Sequence, residues 1–558
     1  MEAQRSQLAV KLLPSLTDFA FLMPIAFLFG RMEGVKTLLS DCDTGWHIRT
    51  GEWILANHAV PMRDIFSFSK PTGVWYAWEW LSEVLWAELN RFGGLRTVVF
   101  FSILLLSITF TLLFRLVRRK ANPVVAIAVT MLAAAASSIH WLARPHLFTL
   151  LFLVLFMFAL ENVRDGRATL GGIPYLAILP IATILWTNLH GGFIVGIIMV
   201  GGYGAGELLK MALTADDDAR RPAWLMAQQY LFCSFACLAA SFINPYTYRL
   251  HLHVFEYLRD PYQSQHIVEF LSLSFHHPVA IFFESLLLSS AATAIWNARR
   301  DRYTEGVLLM VWAHGALLSA RNIPIFAIAA APPVAAAIDS WLQLIPQRDL
   351  AGWIRNAAAR FNRVTTETAQ TDSIPRWHVI SVLGALLVAA LIYAPNPPKS
   401  FRSEFDPKVY PAAALPVLLR DPSAHIFTND EWGDYLIYRL YPRTKVFVDG
   451  RSDFYGADFE EKYLDVLGVK YGWEKTLRKF GVDTILMPAS APLSGALKES
   501  SRWHVVYDDG ISLVFRSAQK SAGQPLSIAA DGVGTGRDRE VTKTQVRDHS
   551  VTGDKPKT

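Results

Sequence analysis

An acid-rich segment near the amino terminus has residue types that suit catalysis or metal binding. Asp41 and Asp43 lie two positions apart, directly after the first apolar run, and His47 follows four residues later. A carboxylate beside an acceptor hydroxyl or amine can serve as a general base, so Asp41 and Asp43 are the candidate catalytic residues. Carboxylate oxygens and an imidazole nitrogen also suit Mg²⁺ or Mn²⁺, which makes Asp41, Asp43 and His47 the candidate ligands of a divalent cation.

Further polar residues lie at the ends of later apolar runs, where ionisable groups are costly unless they line a wet cavity or hold a charged ligand. Arg144 and Arg321 are candidates for binding a phosphate, because a guanidinium is a planar fork that matches phosphate oxygens. His146 and His190 are candidates to assist them. The alternative is that the arginines snorkel to the membrane interface and the histidines are hydrogen-bonded helix ends. Other residues expected near the site are His47, Glu79, Asn188 and Asn244.

The composition is that of an integral membrane protein. Of 558 residues, 52% are hydrophobic and only 18% are charged, as expected when apolar side chains face lipid as well as a core. The net charge of +5 is too small to indicate nucleic-acid binding. The three cysteines do not form a disulfide framework, and Cys233 and Cys237 lie one helical turn apart in an apolar run.

Eleven apolar runs are each near the length of about 20 residues that a membrane-spanning helix needs. Basic residues fall in alternate connections, which places the amino terminus in the cytoplasm and the carboxy-terminal part outside it. We therefore expect a multi-pass protein of the plasma membrane, which in a bacterium is the inner membrane. The runs cover residues 17–35, 97–116, 123–141, 147–162, 169–188, 192–212, 227–243, 279–297, 304–320, 322–341 and 377–395.

This topology predicts three parts. Residues 1–395 form the membrane domain, and its first extracytoplasmic loop, residues 31–96, contains the acidic motif. Residues 396–516 alternate strand-like and helix-like pieces, which predicts a soluble α/β domain outside the membrane, periplasmic in a bacterial cell envelope. Residues 517–558 are polar and charged, which predicts a disordered tail.

Three other segments bear on the site. The tryptophan-rich run 75–86 in the first loop predicts an interfacial helix, because amphipathic rings favour the headgroup layer. In the α/β part, segments 429–435 and 449–453 follow predicted strands, at the end where open α/β sheets bind ligands. These two segments are equally well explained as turns and helix caps.

The acidic motif after the first span, the interfacial helix in the same loop, the eleven spans and the outer carboxy-terminal domain together resemble the GT-C superfamily. That superfamily comprises polyprenyl-phosphate-sugar-dependent glycosyltransferases, such as the protein O-mannosyltransferases, the lipid A aminoarabinose transferases and the oligosaccharyltransferase catalytic subunits. The resemblance covers residues 15–516 as architecture and rests on Asp41 and Asp43 at the residue level. The mannosyltransferases carry an adjacent acidic pair where this chain has Asp-Cys-Asp.

The resemblance implies an α-helical membrane enzyme of GT-C type, an inverting hexosyl- or pentosyltransferase. It would move a sugar from a polyprenyl-phosphate-linked donor to a lipid, glycan or protein acceptor on the extracytoplasmic face. One alternative is a non-enzymatic polyprenyl-lipid or polysaccharide transporter or assembly factor, but a transporter should have polar groups at mid-membrane and paired halves. Another is an O-antigen-ligase-type polymer ligase, from which the acidic motif in the first loop distinguishes this chain.

Overall fold

A computed structural model describes residues 11–518. The predicted disordered tail lies outside the described residues apart from Ser517, which ends a strand, and Ala518. The helices of the membrane part are α1 Leu16–Gly30, α2 Val35–Leu38, α3 Asp43–Asn57, α4 Trp80–Gly93, α5 Leu95–Arg118, α6 Pro123–Ser137, α7 His146–Arg164, α8 Tyr175–Leu189, α9 Phe193–Leu213, α10 Asp217–Ala240, α11 Tyr248–Arg259, α12 Pro261–His266, α13 Ala280–Ala298, α14 Tyr303–Leu318, α15 Ile323–Leu344, α16 Gly352–Asp372 and α17 Val379–Tyr393.

Within the described residues, seven helices are long and apolar enough to cross a membrane. They are α5, α7, α9, α10 and α13, together with α6 and α15 when these are extended by 3-10 turns to His140 and to Ala320–Gln347. The shorter apolar helices are α1, α8 and α17. With α14, helices lie at all eleven predicted apolar runs. The predicted helices therefore exist, and the count of eleven spans stays a prediction.

Helix α15 lies at the centre of the bundle and packs against α6, α7, α13 and α14. Alanines are fully buried on both α6 and α15, for example Ala133 and Ala330. Small residues at helix contacts allow backbones to approach closely inside a membrane, where burial of apolar area from water does not drive association. The connection between α14 and α15 is short, and it carries Arg321 at one end of this packed core.

In the first loop, α3 is held between two other helices, and a glycine lies at each contact. A Cβ added at Gly51 would overlap the backbone carbonyl of Glu83 on α4. A Cβ added at Gly45 would lie 2.6 Å from the Cβ of Tyr438, which belongs to the carboxy-terminal part. These close approaches fix the helix that begins at Asp43, and so fix the acidic motif.

Substituting Gly51 should therefore destabilise this packing. We expect Gly51→Ala to lower the melting temperature by several degrees, because overpacking costs about 1–3 kcal/mol. Gly30→Ala is the matched control, since a Cβ at Gly30 meets no atom within 4 Å. Thermal unfolding of the detergent-purified variants measures the difference, and equal melting temperatures for the two would contradict the tight contact.

The run 75–86, for which an interfacial helix was predicted, is helical only from Trp80 onward. Helix α4 begins only at Trp80, and Trp75 and Trp86 are buried inside the first loop. The Trp86 indole donates a hydrogen bond to the carbonyl of Ala143 (2.8 Å). Trp75 and Trp86 therefore fill the core of the first loop, and the interfacial position of the helix stays a prediction.

The carboxy-terminal part combines short helices with a four-stranded mixed sheet. Its strand order is β3-β4-β6-β5, with β3 and β4 parallel and the other neighbours antiparallel. The first strands of the chain, β1 Thr169–Leu170 and β2 Ile173–Pro174, form a separate short hairpin. The carboxy-terminal elements are α18 Leu415–Leu418, β3 Ile426–Phe427, α19 Asp430–Leu440, α20 Ser452–Tyr455, α21 Ala457–Leu467, α22 Trp473–Lys479, β4 Thr484–Pro488, α23 Pro492–Glu499, β5 Trp503–Asp508 and β6 Ser512–Ser517.

The first loop pairs directly with this carboxy-terminal part. Val446 forms parallel bridges with both Ile426 and Ser67, so a piece of the first loop continues the sheet beyond β3. Beside it, the guanidinium of Arg451 bonds to Asp64 of the loop and to Asp449, each at 2.7 Å. Backbone pairing and a buried ion pair thus join the first loop to a segment that lies almost four hundred residues later in the chain.

Candidate functional site

The backbone around the acidic motif holds Asp41 in one orientation. Asp43 begins α3, and its backbone N–H donates to Asp41 Oδ1 (3.0 Å). The Asp41 side chain remains 30% exposed, so a substrate can approach this carboxylate. Burial raises the pKa of Asp41, Arg144 opposes that rise, and Asp43 and Glu269 add to it, with a result of about 7.

Arg144 clamps both acids of the motif. Its Nη1 lies 2.7 Å from Asp41 Oδ2 and its Nη2 lies 2.8 Å from Asp43 Oδ2. The neighbouring Ala143 is fixed by its N–H bond to the carbonyl of Leu38 (2.8 Å), which places the guanidinium above the start of α3. Arg144, which was predicted to bind a phosphate, therefore uses both terminal nitrogens to bind Asp41 and Asp43, the predicted catalytic residues.

Glu269 joins this cluster, and sequence reasoning missed it. Its carboxylate lies 3.4 Å from Arg321, 3.8 Å from Arg144 and 3.6 Å from the imidazole of His140. Burial raises the pKa of Glu269, but the two arginines outweigh burial and bring it to about 2. Glu269 stays ionised and links the arginine of the α14–α15 turn to the arginine of the acidic motif.

A second chain of contacts runs through Glu79 beneath the motif. Glu79 Oε1 lies 3.1 Å from His190 Nε2, and Glu79 Oε2 lies 3.4 Å from His47 Nε2. On the far side, His47 Nδ1 lies 3.4 Å from Glu83. Burial raises the pKa of Glu79 to about 8, although Arg144 and Arg321 partly oppose the rise. At neutral pH Glu79 is therefore mostly protonated.

The hydrogen-bond partners assign the tautomer of His190. The N–H of Gly192 donates to His190 Nδ1 (2.9 Å), so Nδ1 is an acceptor and the ring proton lies on Nε2, facing Glu79. Burial, with Arg321 and Arg144 nearby, lowers the pKa of His190 to about 3, which keeps the ring neutral. A neutral imidazole can donate one hydrogen bond toward the site without adding charge.

His47 is also neutral, because burial lowers its pKa well below the usual value. Glu83 behaves in the opposite sense, since burial and then Glu79 raise the pKa of its carboxyl. Glu83 Oε2 has no hydrogen-bond partner within residues 11–518. Glu83 is therefore protonated and His47 is neutral. Together they form an uncharged pair that contacts Glu79 through His47.

The carboxy-terminal part contributes Asp434, a residue absent from the predicted site. The backbone N–H of Gly450 donates to Asp434 Oδ1 (3.0 Å). A Cβ added at Gly450 would lie 2.7 Å from both Asp43 Oδ1 and Asp434 Oδ2, so the two carboxylates flank this glycine. Burial, and then Asp43 and Asp449, raise the pKa of Asp434 well above its ordinary value. Asp434 thus closes the site from the side of the carboxy-terminal part.

The predicted ligand set of Asp41, Asp43 and His47 does not assemble as a metal site. His47 is 1% exposed and both its nitrogens face glutamates, while Arg144 binds the two aspartates. Among the residues that the structure describes, no group of three or more His, Cys, Asp or Glu side chains is arranged to hold a metal ion. The donor set as arranged therefore does not fit a divalent cation.

Three other predicted residues have local structural partners. His146 Nε2 bonds to the carbonyl of His140 (2.9 Å). Asn188 accepts from the Trp80 indole (2.7 Å) and donates to two backbone carbonyls. The Asn244 amide bonds to backbone groups of its own turn. The structure thus brings Asp41, Asp43, Arg144, Arg321, Glu79, His47 and His190 together, and it places Asn244 outside this cluster.

The two missed acids had weak signals in the sequence. Glu269 is an isolated acid in an apolar stretch of the 244–278 outer loop, and Asp434 lies in the 429–435 segment singled out for its position after a strand. The positions of Glu269 and Asp434 in the sequence did not distinguish them from ordinary loop residues or helix caps. Their partners come from distant segments, so only the folded chain identifies them.

A scan against protein-family models and a search of curated proteins found no match. Among solved structures, the chain is similar to the archaeal oligosaccharyltransferase AglB from Archaeoglobus fulgidus, in complex with an inhibitory peptide and a dolichol-phosphate. The TM-score is 0.51 at 13% identity, over 94% of this chain and 75% of that one. This likeness confirms the predicted GT-C fold.

Two further solved structures of the oligosaccharyltransferase from Archaeoglobus fulgidus are also similar. One is tethered with an acceptor peptide containing the NVT sequon, with a TM-score of 0.48 at 13% identity over 92% of this chain and 74% of that one. The other is a complex with Zn and sulfate, with a TM-score of 0.47 at 12% identity over 92% and 74%.

Proposed function

We propose that this GT-C-fold protein is a membrane glycosyltransferase that moves a sugar from a polyprenyl-phosphate-linked donor to a lipid, glycan or protein acceptor on the extracytoplasmic face. The observation that carries the proposal is the position of Asp41, an accessible carboxylate with a pKa near 7, beside Arg144 at one end of the spans, with Arg321 linked to Arg144 through Glu269. The AglB structure with its dolichol-phosphate and inhibitory peptide supports a lipid-phosphate donor and a separate acceptor.

In this proposal Asp41 is the general base. It removes the proton from the acceptor hydroxyl or amine as that atom attacks the anomeric carbon of the donor sugar. The bond from this carbon to the lipid phosphate breaks on the opposite face, so the configuration inverts and the polyprenyl phosphate leaves with the bonding electron pair. Asp43 holds Arg144 in place during this step, and no protein–sugar bond forms.

Arg321 is the better candidate for the departing phosphate. The fork of Arg144 is occupied by Asp41 and Asp43, whereas Arg321 pairs with the single carboxylate of Glu269 at the longer distance of 3.4 Å. A guanidinium has five N–H donors, so Arg321 retains donors for phosphate oxygens. His190, neutral with its one ring proton directed at Glu79, adds no charge beside the phosphate.

The transporter and ligase alternatives make different predictions. A transporter needs polar binding groups at mid-membrane between paired halves. The cluster of acids and arginines described above instead gathers where the first loop, the α14–α15 turn and the carboxy-terminal part meet. This grouping favours chemistry at the membrane surface, and the acidic pair of the first loop favours a GT-C transferase over a polymer ligase.

The test is direct transfer. Detergent-purified protein is incubated with radiolabelled polyprenyl-phosphate sugars and with lipid, glycan and peptide acceptors, and the products are separated by mass spectrometry. The proposal predicts a labelled acceptor together with released polyprenyl phosphate in equal amounts. Binding of the donor without release of polyprenyl phosphate for every donor and acceptor class would instead favour the transporter.

Ionisation of Glu79 should cause the rate of sugar transfer to fall at alkaline pH. Its carboxyl is neutral below about pH 8 and becomes an anion above it, where its charge opposes a donor phosphate beside Arg144 and Arg321. We therefore expect the transfer rate to fall above pH 8 in the native protein and to stay level to pH 9.5 in Glu79→Gln. Rates measured across pH 5.5–9.5 test this, with the exposed Glu88→Gln as control. A falling limb that persists in Glu79→Gln would remove Glu79 from this role.

A further inference from the structure

A cavity separate from the acidic site lies between the start of α5, the linker after α17 and helix α19. Its volume is about 290 Å³, and the residues that matter in its wall are Arg96, Ser403, Glu404, Tyr438 and Arg439. A second cleft of about 220 Å³ shares Arg96, Ser403 and Glu404 with it and adds Arg402. The two spaces form one continuous groove on the side of the chain that carries the carboxy-terminal part.

The groove lies beside the ends of two apolar helices. The hydroxyl groups of Thr97 and Tyr393 bond at 2.6 Å, which joins the first turn of α5 to the last turn of α17. Just before this point Phe92 is 85% exposed, as a ring that faces lipid or headgroups would be. The cavity therefore opens where these two apolar helices end, within reach of headgroup phosphates.

Its charge is suited to an anion. Arg96, Arg402 and Arg439 line the groove against one carboxylate, that of Glu404. Within residues 11–518, Arg96 and Arg439 form no ion pair, and the buried Ser403 Oγ has no hydrogen-bond partner. Unpaired guanidiniums and a free hydroxyl are the donors that phosphate oxygens accept from.

We propose that this groove binds the phosphate of an anionic lipid headgroup. The guanidiniums of Arg96 and Arg439 hold the phosphate oxygens from opposite walls, and Ser403 Oγ donates a further hydrogen bond. The acyl chains of the lipid extend past Phe92 along α5 and α17. Lys36 pairs with Asp406 (2.5 Å), and its charge acts more weakly on Glu404, the one carboxylate in the groove.

A bound lipid would also stabilise the position of α19. Tyr438 and Arg439 of this helix face the groove, while Asp434 on the same helix reaches the acidic site. The carbonyl of Tyr438 accepts hydrogen bonds from Arg49 of α3, one at 2.8 Å. Occupancy of the groove is thus expected to stiffen the contact between α19 and α3, whether or not sugar transfer takes place.

The test uses the full chain in detergent, with thermal unfolding as the readout. Dioleoyl phosphatidylglycerol should raise the melting temperature by several degrees more than dioleoyl phosphatidylcholine. In the double variant Arg96→Gln/Arg439→Gln, the concentration of phosphatidylglycerol needed for half of that rise should increase about tenfold or more, since charge-assisted hydrogen bonds are lost. Arg91→Gln is the control, because Arg91 is exposed, pairs with Glu88 and lies outside the groove.

Three other outcomes would contradict either the binding of a phosphate in the groove or its assignment to a lipid. Equal effects of the two lipids on the native protein, or an unchanged midpoint in the double variant, would show that the groove does not bind a headgroup phosphate. Inorganic phosphate is the third arm of the test. If it alone reproduces the rise at millimolar concentration, the site binds a soluble phosphate and the assignment to lipid is wrong. Retention of phosphatidylglycerol by the native protein but not the double variant, measured by native mass spectrometry, gives a readout independent of stability.

Discussion

Replacing Asp41 with Asn is expected to reduce the rate of sugar transfer by about 10²- to 10⁴-fold, the usual contribution of a general base. Asparagine has the shape of aspartate, and its carbonyl oxygen can still accept the N–H of Asp43 or a bond from Arg144. It cannot take a proton from the acceptor. The variant should fold normally and lose turnover, as measured by release of polyprenyl phosphate from a labelled donor.

The pH profile distinguishes a base from a residue that only supports the fold. Asp41 is active when deprotonated, so the native rate should rise with pH through an apparent pKa of about 7. Asp43 raises the pKa of Asp41 through its charge. Asp43→Asn should therefore move the rising limb to lower pH, because Arg144 then pairs with Asp41 alone. A limb that stays in place in Asp43→Asn would contradict the coupling of the two acids.

Glu52→Gln provides the matched control for Asp41→Asn. Glu52 lies on the same helix, α3, but it pairs with Arg49 (2.5 Å) and its side chain is 38% exposed. Loss of this surface pair is expected to leave transfer within twofold of the native rate. If Asp41→Asn keeps the native rate and the native fold, Asp41 is not the base and the proposed mechanism fails.

The sequence predicted the helices of the membrane part well, because each helix depends on a run of neighbouring apolar residues. It also predicted Asp41, Asp43, Arg144 and Arg321 as one group, since the alternation of basic connections placed them on the same side. The pairing inside the group was not predictable. Arg144 was expected to be available for a phosphate, and the folded chain shows it bound to both aspartates.

The burial of the tryptophans and the position of the missed acids have a common physical origin. Trp86 is buried because α4 packs on α3 through Gly51, a contact that the periodicity of neither helix reveals. Asp434 reaches Asp43 because α19 docks at Gly45, almost four hundred residues earlier in the chain. The sequence can predict the depth in the membrane at which an aromatic or acidic residue lies. It cannot predict which residue from a distant segment that side chain contacts, because this contact forms only in the folded chain.

Replacing Arg451 with Met is expected to give the largest loss of stability. Arg451 is 2% exposed, and its guanidinium bonds to Asp64 and Asp449 at 2.7 Å and lies over the ring of Trp75 at 4.4 Å. Methionine preserves much of the apolar volume but leaves two buried carboxylates without their cation. Breaking a buried pair in this way costs about 3–5 kcal/mol. Thermal unfolding should show a large fall in melting temperature, whereas the exposed Arg443→Met should show little change.

The contribution of Asp64 to the pH dependence of stability should reverse sign in this variant. In the native protein, burial raises the pKa of Asp64, but Arg451 and the Ser67 hydrogen bonds outweigh burial and lower it. Asp64 therefore contributes stability above its ordinary pKa of 3.8, and the contribution is lost as the pH falls through the lowered value. Without Arg451, burial acts unopposed and the folded-state pKa rises above the unfolded value. The variant should then gain more stability than the native protein as the pH falls from 7 toward 5.

Adding Asp64→Asn to Arg451→Met separates charge from packing. If the loss of stability comes from unpaired buried carboxylates, the double variant has one unpaired carboxylate fewer than Arg451→Met. Its melting temperature should then recover in part, and the dependence of its stability on pH should weaken. If the loss comes instead from the cavity left by the guanidinium and its ring contacts, Asp64→Asn should add to the loss. Because Arg451 and Asp64 join the carboxy-terminal part to the first loop, recovery of stability in the double variant should be accompanied by recovery of transfer.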